Sequence, residues 1–350
     1  MSLSDPVILT NSISGAVANR DQCPAIPYTP EEYAAEARRA VEEGAAMIHI
    51  HALTPEGVPS YEIDDFRAIT DAILGAVDDV IVNYSTGALG VPIEKRLAYL
   101  RELRPDVAAL NMGSMNYAKY SRRRKDFVFQ AVFENSFETI VTFVETMNEL
   151  GIRPEHECFD SGHLANLDPL IDMGLLTEPL QVSCVMGVTG PIRPTARNLA
   201  HMAGEMPGGP DGPSNWGLIG ISRDQWTLIS AALALGGNVR VGLEDNFYLP
   251  NGEMARSNGE LVAQARVMTE VAGRRRRERR RGARAARNAE ARPARLTAGR
   301  SRSRSLRPAR PRHDLAWGRL PLGTPRSPED GFGHGGARAH VHVAPLAAAA

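Results

Sequence analysis

The chain has 350 residues, 43% of them hydrophobic, and a formal net charge of −1. That is enough apolar content to bury a sizeable core. No apolar run is long enough to span a bilayer, and no charged-then-apolar leader precedes a cleavage site, so the chain reads as soluble and cytoplasmic. The small net charge hides an asymmetry. Residues 1–273 carry 20 basic and 36 acidic side chains, whereas residues 274–350 carry 20 arginines, no lysine and five acids. The whole-chain charge therefore says nothing about partners. Three cysteines, Cys23, Cys158 and Cys184, show no C-x-x-C spacing and no disulfide framework.

From residue 7 to about residue 272 the pattern repeats as strand, turn and helix. An alternating apolar run over 7–14 reads as the first strand. Thr29-Pro30-Glu31-Glu32 opens a helix with an N-cap, a proline at its first position and acids in its first turn. That helix ends near Gly44. A short, apolar, β-branched second strand follows, Ala46-Met47-Ile48-His49-Ile50-His51-Ala52. Further strands are expected over 80–86, 107–113, 156–160, 180–187, 216–221 and 238–244. Helices are expected over 64–76, 92–103, 136–150, 166–173, 195–205, 224–235 and 259–272, and Gly151 closes the one at 136–150. Eight strand–helix units in about 265 residues predict a (β/α)₈ barrel in a single domain, 1–273. A doubly wound open sheet is the alternative. It is disfavoured because no G-x-G-x-x-G follows the first strand and no G-x-x-x-x-G-K-[ST] occurs.

The segment 274–350 is rich in Arg, Ala, Gly and Pro, with no apolar period and few large aliphatics. It cannot bury a core and is expected to be disordered. A basic nucleic-acid-binding arm is one reading. Twenty arginines without a lysine fit better with out-of-frame translation of a GC-rich gene beyond Gly273, so nucleic acid is not the expected partner.

Two histidines at i and i+2 of a strand point the same way. On an apolar strand, His49 and His51 suggest a shared metal ion over a pair of core histidines. Barrel enzymes place their sites at the C-terminal ends of the strands. There the sequence offers Asn11 and the Ser14-Gly15 turn, then Ser85-Thr86-Gly87, Asn111, Glu157 with Asp160 and His163, and the 187–190 turn. The last strand carries Arg240, Gly242 and Glu244 on one face, with Asp245 at its lip. An Arg and two acids at a barrel mouth are costly to desolvate unless paired or bound to metal. A surface salt-bridge cluster is the bland reading. In a closed barrel the eighth strand adjoins the first, with the second next to it. Glu244 then completes His49 and His51 as a His₂Glu set, a catalytic zinc pattern with an open position, and Asp245 is left free as a base. Lys95, Lys119 and Lys125 are the only lysines, and none is expected on a strand, which argues against a Schiff-base aldolase. No G-x-S-x-G elbow is present.

These motifs together — H-I-H-A, N-Y-S-T-G, L-N-M-G-S-M-N, E-H-E-C-F-D-S-G-H and R-V-G-L-E-D-N — resemble the β-keto acid cleavage enzymes, whose named member is the 3-keto-5-aminohexanoate cleavage enzyme. The resemblance covers about residues 5–273. It implies a (β/α)₈ barrel, usually a tetramer, with one zinc per subunit. The implied reaction condenses a β-keto acid with acetyl-CoA and cleaves the adduct to acetoacetate and a new CoA thioester. By the same resemblance His49, His51 and Glu244 are the zinc ligands, Asp245 is the base and Arg240 orients it. Ser85 and Glu157 line the substrate pocket, with Thr86, Gly87 and Asn111 beside them. Aminohexanoate-type members carry an acid after the first-strand turn, where this chain has Val17, so a substrate without a 5-amino group is expected. Family members also continue after the last barrel helix, whereas this chain diverges near Gly273. Arg193 and Arg197 are candidates for the CoA phosphates or equally for solvated surface charge. The competing class is a metal-dependent hydrolase of the amidohydrolase kind. It is disfavoured because its H-x-H lies on the first strand and no histidine here ends the sixth.

Overall fold

The computed structural model of the chain describes residues 2–209, 212 and 214–277. The first half runs β1 (Leu9–Ser12), α1 (Pro30–Glu42), β2 (Met47–Ile50), β3 (Ala52–Leu53), β4 (Pro59–Ser60), α2 (Ile63–Ala76), β5 (Ile81–Ser85), α3 (Ile93–Leu103) and β6 (Val107–Asn111). The chain then makes β7 (Met115–Ser121), β8 (Asp126–Phe133), α4 (Phe137–Leu150), β9 (Arg153–Cys158), α5 (Ser161–Ala165) and α6 (Leu167–Asp172). It finishes with β10 (Gln181–Met186), α7 (Ala196–Gly204), β11 (Asn215–Gly220), α8 (Gln225–Ala234), β12 (Asn238–Val241) and α9 (Asn258–Val271).

Eight of these strands close a parallel barrel in the order β1-β12-β11-β10-β9-β6-β5-β2. The predicted (β/α)₈ architecture is therefore present. Its strands are buried on both faces, as the run Val107-Ala-Ala-Leu-Asn111 illustrates. Helices supply the outer layer. Phe66 of α2, for example, stacks on Tyr99 of α3 at 4.1 Å between ring centroids and packs against Tyr84 of β5 at 4.9 Å.

Local signals place the helices. Thr29 caps α1: its hydroxyl accepts from the backbone N–H of Glu32 (3.4 Å), and the Glu32 carboxylate accepts from that of Thr29 (3.0 Å). A cap of this kind contributes about 1 kcal/mol. Gly151 ends α4 in the left-handed region, at φ 70°.

Four features depart from expectation. The segment after β6 is not a plain loop: β7 and β8 form an antiparallel hairpin inserted before α4. Lys119 consequently lies on a strand, though not on one of the barrel. The helix expected over 166–173 is α6, but an unexpected short helix, α5, precedes it, and the two meet at Asn166, whose amide donates to the Met112 carbonyl (2.7 Å). The tail boundary expected at Gly273 is too early, because residues 274–277 are built into the barrel. The buried Arg274 guanidinium donates to the carbonyls of Gly237 (2.6 Å) and Asp5 (3.0 Å), and Val7 pairs with the backbone of Arg275 and Arg277 (both 2.8 Å). Composition conceals this, since a structural arginine reads like any other in an arginine run. The rest of the expected tail, and the reading-frame question with it, lies outside the described residues.

Candidate active site at the barrel mouth

Three neighbouring strands build the site. Parallel pairing sets Asn11 of β1 beside Val241 of β12 and Ser12 beside His49 of β2. β1 thus separates the histidine strand from the turn that follows β12. That turn, rather than β12 itself, carries Glu244 and Asp245, because the strand ends at Val241, short of the expected 244. His51 likewise lies just past β2. The turn comes very close to β1: a Cβ at Gly242 would meet the Ser12 carbonyl oxygen at 1.9 Å, so only glycine fits. Asn258, at the start of α9, braces the same turn. Its side-chain oxygen accepts from the backbone N–H of Leu243 (3.0 Å) and from the Asn11 amide (3.0 Å).

His49, His51 and Glu244 converge, each offering a ligand atom within 4.8 Å of the others. His51 Nε2 lies 3.2 Å from Glu244 Oε1, and His49 Nε2 lies 3.4 Å from Oε2. Oε2 is buried and has no hydrogen-bond partner. A carboxylate whose two oxygens each face an imidazole nitrogen, one of them buried without a hydrogen bond, is a costly arrangement unless a cation lies between them. Burial and the Arg240 charge push the His49 pKa well down, so its ring is neutral and able to ligate. Burial raises the Glu244 pKa, but Arg240, His49 and His51 outweigh it and hold Glu244 well below the usual carboxylate range. Two neutral-capable imidazoles and one ionised carboxylate are a zinc-type donor set, so these residues fit the metal.

Arg240 ties the acids together. Its Nε and Nη2 donate to the two carboxylate oxygens of Asp245 (3.0 and 2.9 Å), Nη1 donates to Glu157 (3.2 Å), and Nη2 lies 3.0 Å from Glu244 Oε1. Asp245 also accepts from the Ser12 hydroxyl (2.6 Å). Burial raises the Asp245 pKa, and Glu244 adds to it against the pull of Arg240. Glu157 is pushed up to about 8 by burial, with Glu155, Glu244 and Asp245 adding to the rise against Arg240. The bland reading of a surface salt-bridge cluster does not hold, since Arg240 and Asp245 are each only 4% exposed.

The expected substrate residues divide. The Ser85 hydroxyl accepts from the Gly87 backbone N–H (3.2 Å). A Cβ at Gly87 would sit 3.4 Å from the Asn111 amide nitrogen, so these three share one polar corner, in which the Asn111 side-chain oxygen is buried without a partner. Thr86 is turned away from it: its hydroxyl donates to the Ala109 carbonyl (2.5 Å) and is buried. Val17 is 55% exposed, two residues beyond Gly15, where a Cβ would meet the Glu244 side chain at 2.6 Å. His163 accepts from the backbone N–H of Phe159 (3.2 Å) and is not part of the His49–His51–Glu244 group.

Of the supporting residues, only Ser14 carries a strand-end signal. Tyr33 of α1 donates to the His51 carbonyl (2.7 Å), and the Ser14 hydroxyl donates to the same oxygen (3.0 Å). Beneath His49, Asn83 donates to Glu155, which also accepts from Ser183 (2.6 Å). Only the inward register of their strands, β5, β9 and β10, would have found the last three.

Comparison with known proteins gives the family. The family described as beta-keto acid cleavage enzyme matches residues 6–286. The chain is 34% identical over 273 residues to the 3-keto-5-aminohexanoate cleavage enzyme of Fusobacterium nucleatum, covering 78% of this chain and 94% of that one. It is 33% identical to the 3,5-dioxohexanoate:acetyl-CoA acetone transferase of Paraburkholderia graminis, covering 77% and 92%. Among solved structures, apo ObcA superposes with a TM-score of 0.57 at 21% identity, over 73% of this chain and 64% of that one, a likeness of fold. Among the described residues, no helix is long and apolar enough to cross a membrane.

Proposed function

The chain belongs to the β-keto acid cleavage enzyme family, and we propose that it condenses a β-keto acid with acetyl-CoA and cleaves the adduct to acetoacetate and a new acyl-CoA. The observation that carries this reading is the convergence of His49, His51 and Glu244 beside an Asp245 clamped by Arg240. His49 and His51, through Nε2, and the Glu244 carboxylate would hold zinc, which when bound supplies Lewis-acid polarisation of the keto-acid carbonyl.

The remaining work falls to the chain's own side chains. Asp245 takes the proton from the carbon between the ketone and the carboxylate, and burial, which raises its pKa, makes it a stronger base than a solvated carboxylate. Arg240 and Ser12 fix both of its oxygens, so the carboxylate is aimed before substrate arrives. Arg240 also places a buried positive charge beside the oxygen on which negative charge grows. Glu157, whose carboxyl pKa is pushed up by burial, accepts from Arg240 and so stands beside Asp245 as a further oxygen donor facing the substrate. Ser85, Gly87 and Asn111 supply the polar corner for the keto acid, and Val17, in the turn after β1, leaves a 5-amino group without an acidic partner. A homotetramer in the cytoplasm completes the proposal.

The test is a coupled assay for CoA-thioester formation with acetyl-CoA and a panel of neutral, acidic and amino-substituted β-keto acids, run beside metal analysis of wild type and His49→Ala. Turnover by zinc-loaded wild type, lost together with the metal in the variant, is expected. Full turnover by metal-free wild type would overturn the reading.

A further inference from the structure

The β7–β8 hairpin is inserted where a barrel needs only a short βα loop, and nothing in the His49–Glu244 cluster accounts for it. Its root lies over the site. Phe133, the last residue of β8, stands against Gly87 (3.6 Å from the position of a Cβ there) in the Ser85–Asn111 corner. Tyr117 packs on Phe133 and Phe129 at 5.8 and 5.5 Å, and the charges of Glu244 and Glu157 add to the burial that raises its pKa. The root is also pinned to the turn after β10, where the Ala118 N–H donates to the Thr189 carbonyl (3.2 Å) and Gly190 admits no Cβ beside the Asn116 carbonyl oxygen.

The far end differs in character. Arg122, Arg123, Arg124 and Lys125 form the tip, and all four are exposed. With Lys119 they make five of the 20 basic residues among positions 1–273, a stretch that holds 36 acids. The adjacent Asp126 turns its carboxylate back onto the Phe127 N–H (2.8 Å). Seven residues of β7 at about 3.4 Å each put this cationic tip roughly 20 Å from the barrel mouth. Between the hairpin and the turn after β10 lies a cavity of about 530 Å³, lined by Asn116, Ala118, Phe127, Gln130, Val132 and Thr189. The hairpin is therefore a track with an acid-base cluster at one end, a half-apolar cleft along it and a concentrated positive charge at the other.

We propose that this hairpin seats the nucleotide end of an acyl-CoA, with the cations at 122–125 on its 3′-phosphate and diphosphate and the cleft behind β7 and β8 on its pantetheine arm. The inference rests on the acetyl-CoA reading above and adds where that molecule lies. The charge pattern fits it: three phosphates close together match a tip of four cations, and the flexible arm spans from there to the metal-ligand cluster.

The test uses the full chain. Binding of CoA and of 3′-dephospho-CoA is measured by calorimetry for wild type, for R122Q/R123Q/R124Q/K125Q and for R122K/R123K/R124K. Wild type is expected to prefer CoA about tenfold, while the glutamine variant weakens CoA binding about tenfold or more and loses the preference. The lysine variant should stay within about threefold of wild type. In turnover the glutamine variant should raise the KM for acetyl-CoA and leave kcat and the keto-acid KM unchanged. If wild type binds CoA and the glutamine variant binds it equally well, the hairpin assignment fails while the reaction stands. If wild type has no affinity for CoA, the reaction itself falls and takes this proposal with it. A loss of affinity that accompanies a change of oligomeric state by light scattering would assign the hairpin to an interface between copies and overturn the proposal.

Discussion

Two sides of one barrel mouth hold their charges in opposite ways. At the β12–β1–β2 side, Arg240, Asp245 and His49 are nearly fully buried, and Arg240 alone meets three carboxylates. At the β7–β8 side, four cations stand exposed at the end of a protruding hairpin. The first arrangement is rigid and costly to desolvate, and that cost is offset only if every partner stays in place. The second is solvated and screened, which suits a ligand that must arrive and leave. The contrast separates chemistry, fixed by the barrel frame, from reach, supplied by an insertion.

The sharpest way to break this contrast is at the ligand set. Glu244→Gln keeps the shape of the side chain and removes its charge; turnover should fall by about a thousandfold and bound metal should drop with it, read by elemental analysis beside the assay. Retention of both would return Glu244 to a structural role. Next comes Arg240→Leu, which leaves three acids facing one another in a buried site and should lower stability by about 3–5 kcal/mol in denaturant unfolding. The glutamine variant of the hairpin tip removes as many as four charges yet should change stability by less than about 0.5 kcal/mol, and a comparable loss there would erase the distinction.

A third test asks whether burial alone, without a site, gives the wall its rigidity. His156 of β9 is buried with its Nδ1 unpartnered, and burial and Arg153 push its pKa down to about 4 from an ordinary 6.5. The folded state therefore binds fewer protons at this position than the unfolded chain. Its stabilising contribution is complete above pH 6.5 and is lost as pH falls toward 4. Over that window the loss approaches about 3 kcal/mol, and His156→Asn should flatten this part of the acid limb of a stability–pH curve. The smallest effect is expected at the exposed Val17. Val17→Glu should improve kcat/KM for a 5-amino substrate by about fivefold relative to a neutral one, an exposed ion pair contributing at most about 1 kcal/mol.

Much of this was legible in the chain because the barrel's own periodicities are strong. His49 and His51 share a face by the two-residue repeat of a strand, and closure of the barrel brings the last strand beside the first, which places Glu244 across from them. Arg240 and Asp245 stood out as charges on an otherwise apolar strand. The hairpin was not legible. Its tip is Arg122–Lys125, with no glycine or asparagine to mark a turn, and Lys125 takes the left-handed region at φ 54°. Thr86 looked like a pocket residue from its position, but pairing with Ala109 turned it outward, a choice of rotamer that sequence does not encode. Asn83, Glu155 and Ser183 were hidden for a related reason: their function is to hold one another beneath His49, and no single one forms a motif.

The pairing of Val7 with the backbone at 275–277 has a topological consequence. The segment before the first barrel strand and the one after the last barrel helix meet side by side, with Arg274 clasping carbonyls from Asp5 and Gly237. The barrel is thus a ring whose seam lies at its base, opposite the mouth. A circular permutant that joins these two segments by a short linker and opens the chain at the exposed Gly208 should keep the fold and the metal-ligand cluster. Cutting the chain at Gly273, where composition alone would place the end of the domain, would remove the clasp and leave that seam open.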